Sequence, residues 1–175
     1  MKCVLLIVLV LLGGLSFQFK DEIKIQEPYH MTFQEFEELL KGLLEGLQLE
    51  QYIDQLIACI QPDFNRIETL IEEAIQDLEH VDIKHLNLIV DALKKLSEVI
   101  IIIFKDLVPC AKIIPEIEKI IEELAKENFL EIALRILMHG GKMLSDLKAL
   151  PSDWKSQNYH QFGLDLGNLF YLILF

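Results

Sequence analysis

The sequence predicts an all-α fold: a single-domain helical bundle of about five to six helices containing a duplicated helical hairpin. Three observations predict it. Apolar residues recur at helical spacing in almost every long segment. Only 8 Gly and 5 Pro occur in 175 residues, too few for the turns of an all-β domain. Hydrophobic residues make up 52% of a chain of one-domain length, enough to bury a real core.

The elements follow in chain order. Met1-Lys2, the apolar run Cys3 to Leu15 and the small residues Gly14 and Ser16 read as a signal peptide over 1–16. A retained anchor is the competing reading, but the run is short of the ~20 residues of a spanning helix. Residues 17–30 contain Pro28 and lack periodicity, which predicts an extended segment ahead of a bundle over 31–175. Thr32 and Glu35 have capping-box spacing. Phe36, Leu39, Leu40, Leu43, Leu47, Tyr52, Leu56 and Ile57 then form one stripe, which predicts a helix that ends before Pro62. Asp63 is the expected N-cap of a second helix, with Ile67, Leu70, Ile71, Ala74, Ile75 and Leu78 inside.

After a short connection at His80-Val81-Asp82, a third helix is expected from about Ile83 to Leu107. It contains Val99-Ile100-Ile101-Ile102-Ile103-Phe104, apolar all round, which suits the centre of a bundle. Pro115 opens a fourth helix at a first-turn position and carries it to about Ala125. A fifth is expected from Asn128 to about Leu150 with a kink at Gly140-Gly141, then a turn at Pro151-Ser152-Asp153 and a last helix over roughly 155–173.

Removal of the signal takes Cys3 with it. Cys59 and Cys110 remain, and in an oxidising compartment one disulfide between them is expected, with two buried thiols as the alternative. Such a bridge would stabilise by about 4 kcal/mol on the chain-entropy model. Three ordered matches at offsets near 50 support an internal duplication, with units at about 56–99 and 107–147. The clearest is Ile67-Glu68-Thr69-Leu70-Ile71-Glu72-Glu73 against Ile117-Glu118-Lys119-Ile120-Ile121-Glu122-Glu123. Gly42 with Gly46, and Gly163 with Gly167, put two Gly-x-x-x-Gly pairs on the first and last helices. Glycines four apart share a helix face and admit a second backbone, so the terminal helices are expected to cross through these faces.

A signal peptide, two cysteine-led helical units and the final Tyr159-x-x-Phe162-Gly163-x-Asp165-Leu166-Gly167 resemble small exported helical proteins of ciliated protozoa. The resemblance covers most of the chain, implies a helical fold and carries no activity, cofactor or functional residue.

The net charge of −12 argues against a nucleic-acid binder and against electrostatic attachment to an anionic membrane. None of His30, His80, His85, His139 and His160 has a metal-ligand spacing. Ser97 and Ser145 lack a nucleophile elbow, and neither cysteine has a redox context. Glu72-Glu73 and Glu122-Glu123 are adjacent residues that point apart, a solvated face rather than paired catalytic acids. No catalytic, cofactor-binding or metal residue is expected, and the protein is read as a non-enzyme.

Two functional classes remain. One is a secreted interaction protein with an unidentified protein partner, whose docking surface is Phe170 to Phe175 unless that segment closes the core. The other is a carrier for a lipid or other apolar small molecule, motivated by the apolar excess and the 99–104 stretch. The expected location is outside the cell or in the lumen of the secretory pathway, with no stable membrane span after signal cleavage.

Overall fold

The computed structural model describes residues 31–58, 64–79, 85–107, 115–139 and 141–175. The signal segment, residues 17–30, the Asp63 cap, the 80–82 connection and both Cys59 and Cys110 lie outside them. Within them the fold is all-α and no strand occurs.

The first helix, α1 (Phe33–Gly46), starts where the capping box places it. The Glu35 amide donates to Thr32 Oγ1 at 3.3 Å, and the Thr32 amide donates to Glu35 Oε2 at 2.7 Å. Two helix-end donors are thereby satisfied reciprocally. The expected continuation to Ile57 is broken. Gln48 is left-handed at φ 60°, and the Leu49 amide closes onto the Leu44 carbonyl at 2.7 Å. A 3₁₀ turn at Glu50–Tyr52 and a short α2 (Ile53–Ile57) follow. The reason is geometric: in a continuous helix Leu49 would sit about 200° round from Leu47, facing water. The left-handed step lets both leucines be buried.

Helices α3 (Phe64–Glu79) and α4 (Leu86–Leu107) pack against each other as a hairpin. Ile67, Ile71 and Ala74 face Ile89, Leu93, Leu96 and Ile100, all fully buried. Arg66 bonds Glu98 at 2.6 Å and Lys95 bonds Asp77 at 2.7 Å across the outer edge. The all-apolar stretch is core: Val99, Ile100, Ile103 and Phe104 are fully buried, and Ile101 and Ile102 are half-buried. Phe64 meets Phe36 edge-on with centroids 5.4 Å apart, joining the hairpin to α1.

Pro115 occupies the first position of α5 (Pro115–Lys126), as its spacing predicts. The expected fifth helix is described as two stretches, α6 (Phe129–His139) and α7 (Gly141–Lys155), and the expected kink falls on Gly140, which lies outside the described residues. The expected turn at Pro151 is instead inside α7. Proline removes one backbone donor there, a cost near a helix end that packing offsets. Leu147 and Leu150 are buried, and Trp154, on the same stripe, packs on Tyr159 and Phe162 at 5.4 and 5.2 Å. The helix stops at Gln157, left-handed at φ 58°. The described part of the expected second unit, about 107–147, falls on α5, α6 and the start of α7; α5 and α6 pack on α4, and α7 on α3 and α8.

The last helix, α8 (Tyr159–Leu174), crosses α1 through the four glycines. A Cβ added to Gly42 would meet the His160 carbonyl oxygen, and one on Gly163 the Leu39 carbonyl oxygen. One on Gly46 would lie 2.5 Å from the Leu164 oxygen, and one on Gly167 would lie 2.8 Å from the Gly46 Cα. Every obstacle is backbone, which cannot swing aside. Gly163→Ala should therefore lower Tm by about 3–10 °C, the equivalent of the 1–3 kcal/mol of overpacking in a domain of this size. Gly141→Ala, with nothing within 4 Å, is the control and should not lower Tm in the same calorimetric series, since alanine is the better helix former.

Candidate functional site

Three features of the surface and of the α7–α8 joint have chemical content. The first is an open dish of about 300 Å³ at the α1–α8 crossing, lined by Gln34, Glu35, Glu38, Asn158, Tyr159 and His160 among others. Most of its lining residues carry polar groups, and His160 Nε2 approaches Glu45 Oε2 at 3.2 Å beside it. The second is a group of three aspartates, Asp146 and Asp153 on α7 and Asp165 on α8. The third is an apolar ridge on α6.

The aspartates sit where two helices are pressed together by Trp154, Tyr159 and Phe162. Asp146 is only 8% exposed, and its Oδ2 finds no donor among the described residues. Burial pushes its carboxyl up, Asp165 adds to the rise, and Lys142 opposes it. Asp153 is pushed up to about 6, first by burial and then by the hydrogen bond and negative charge of Asp165. Its Oδ2 is likewise buried without a donor. Burial and the Asp165 charge both favour the protonated form of Asp153, which carries a proton of its own to donate. Gln161 Nε2 orients the pair from α8 by donating to Asp165 Oδ1 at 2.8 Å.

The ridge arises from a helix with apolar residues on two sides. Ile132, Ala133 and Ile136 are buried towards the core. Leu130, Leu134 and Met138, four apart, line the outer face and are 51%, 42% and 69% exposed. Residues at this spacing stack along one helix face and span about 12 Å. Glu131 and Arg135 flank the ridge and pair with each other at 3.7 Å.

The residues singled out by sequence fall elsewhere. Glu72, Glu73 and Glu122 are exposed and Glu123 is half-exposed; Glu73 pairs with Lys95 at 3.7 Å, and Glu122 and Glu123 pair with Lys126 at 3.9 and 3.4 Å. Ser97 is buried and donates to the Lys94 carbonyl at 2.7 Å. Among the described residues, no group of three His, Cys, Asp or Glu side chains is placed to hold a metal ion. No helix among them is long and apolar enough to cross a membrane. The terminal segment divides: Leu169, Phe170 and Ile173 are core, while Phe175 is 61% exposed with the Lys119 ammonium 5.0 Å from its ring centroid. Sequence reasoning missed both the aspartates and the ridge. A lone acid in the apolar helix Phe162 to Phe170, and the Leu130, Leu134, Met138 spacing opposite Ile132 and Ile136, were the available signals.

The aspartates make a pH prediction. A folded-state pKa above the unfolded value means that the protonated form is favoured in the folded protein. The resulting stability is fully present below the unfolded carboxylate value of about 3.9 and is lost as pH rises through about 6. Asp153→Asn should raise Tm at pH 7.5 by about 2–4 °C relative to the wild type, the equivalent of ~1 kcal/mol, with no gain at pH 4. Parallel pH–Tm curves for the two proteins would refute the raised Asp153 carboxyl.

A family model described as SctB-like, secreted protein B-like, matches residues 18–174. This finding overturns the resemblance to small exported helical proteins of ciliated protozoa: the family that accounts for nearly the whole chain is the secreted protein B-like one. No curated protein and no solved structure matches the chain.

Proposed function

The chain belongs to the secreted protein B-like family and is a secreted protein, and on that premise we propose that it works without enzymatic chemistry, by protein–protein interaction through the outer face of α6. The observation that carries this reading is the ridge of Leu130, Leu134 and Met138. Single exposed apolar side chains are ordinary on a soluble protein, but three in register on one helix face form a continuous strip. Their helix already buries an apolar face, so the strip is surplus to the core. Interface cores are built from such apolar and methionine-rich strips with a charged rim, here Glu131 and Arg135. The C-terminal run is the poorer docking surface, because Leu169, Phe170 and Ile173 are used in the fold. The stretch 99–104 that motivates a lipid carrier is likewise used in packing.

The test places a photo-crosslinking side chain at position 138 of the secreted protein, with an equivalent label at Lys94, exposed on the outside of α4, as control. Illumination in the native secretion should give discrete protein adducts at 138 and none at 94, and Leu134→Glu should abolish them. Because position 134 is exposed, Leu134→Glu should fold with a Tm within about 2 °C of the wild type. Equal labelling at both positions, or adducts that survive Leu134→Glu, would refute the assignment.

A further inference from the structure

We infer that the occupant of the α6 ridge is a second copy of this chain, laid antiparallel about a two-fold axis at Leu134. This rests on the interaction reading above and names its partner. The argument begins with charge. Each copy carries −12, so two copies repel over most of their surface. The α6 face is an exception, since it presents one acid and one base, Glu131 and Arg135, both about half-exposed or more.

The positions of these two residues select the orientation. Both lie on the same flank of the ridge, on either side of Leu134. A two-fold axis through Leu134, perpendicular to the helix, keeps that flank on the same side in both copies and reverses the helix direction. Glu131 lies about 4.5 Å before the axis, and the second copy's Arg135 lies about 1.5 Å before it, a mismatch of about 3 Å along the helix. The intrachain Glu131–Arg135 pair can therefore be exchanged for two pairs between copies. On the opposite flank Leu130 meets the second copy's Leu137, which is half-buried in the monomer. Leu134 meets its own equivalent, as an isologous interface requires. A parallel pairing would put the charged flank of one copy against the apolar flank of the other.

The area limits the strength. An eleven-residue helix spans about 16 Å, a footprint smaller than the roughly 1,200 Å² buried by stable complexes. Association is accordingly weak and concentration-dependent.

The test is sedimentation equilibrium of the full secreted chain over a concentration series extending into the millimolar range. A monomer–dimer equilibrium is expected, weakened tenfold or more by Leu134→Glu. Glu131→Arg and Arg135→Glu should each weaken it about fivefold when alone, and an equimolar mixture of the two should recover it, because every cross-copy pair is then opposite in sign. Monomer throughout, or a dimer indifferent to Leu134→Glu, would overturn the second copy as occupant. A dimer lost in Leu134→Glu but not recovered in the charge-swapped mixture would overturn the antiparallel register and with it the inference. The interaction reading fails separately. If the chain is monomeric while position 138 carries peptides of a different protein, the second copy falls and the reading stands. If position 138 carries no adduct, the reading itself falls.

Discussion

The fold depends on one backbone contact. Gly42, Gly46, Gly163 and Gly167 let α1 and α8 approach until a single methyl group on any of them would collide with main chain. With no side chains between them, the two helices are positioned by peptide atoms, and the large residues are displaced to either side of the crossing. Phe36 and Leu40 on α1, and Phe162, Leu166 and Phe170 on α8, are therefore all available to the core. Phe36 reaches Phe64 and holds the α3–α4 hairpin, whereas Phe162 reaches Trp154 and holds α7. A crossing set by side chains would leave both attachments several ångströms further apart.

The aspartate group is a consequence of that placement. Once α8 is seated on α1, α7 packs along its remaining face, and Asp165 comes against Asp153 in a partly buried setting. Burial and like charge raise the carboxyl together, so the α7–α8 joint is better satisfied in mildly acidic solution than in neutral solution. For a secreted protein this makes the helix joint a component whose stability changes between acidic and neutral compartments.

Local signals were readable wherever a single residue type has one physical use. Thr32 with Glu35 marked the start of α1, Pro115 marked the start of α5, and glycines four apart marked the crossing. Where tertiary packing competes with local preference, the reading failed. The break after Gly46 exists because Leu47 and Leu49 must both turn inward, and nothing in a periodicity count weighs that. Pro151 stays inside α7 because Trp154, one turn further on, finds aromatic partners on the next helix, which local proline preference does not register. Asp153 and Asp165 become partners only through the crossing. Periodicity placed Leu130, Leu134 and Met138 in a helix, but it could not reveal that Ile132 and Ile136 alone would satisfy the core and leave the others outside.

The functional reading inherits its geometry from the same constraint. The crossing holds the two ends of the bundle, the α3–α4 hairpin fills the centre, and α6 lies on the outside of α4 with an apolar face to spare. Because the whole arrangement follows from peptide-to-peptide approach, the most direct measurement is a nuclear Overhauser experiment on the folded chain with labelled glycine. The account predicts strong Hα–Hα cross-peaks between Gly46 of α1 and Gly167 of α8. If these glycine α-protons give no cross-helix contact, while aliphatic side chains of α1 and α8 do, the helices are held apart by side chains and the account is wrong.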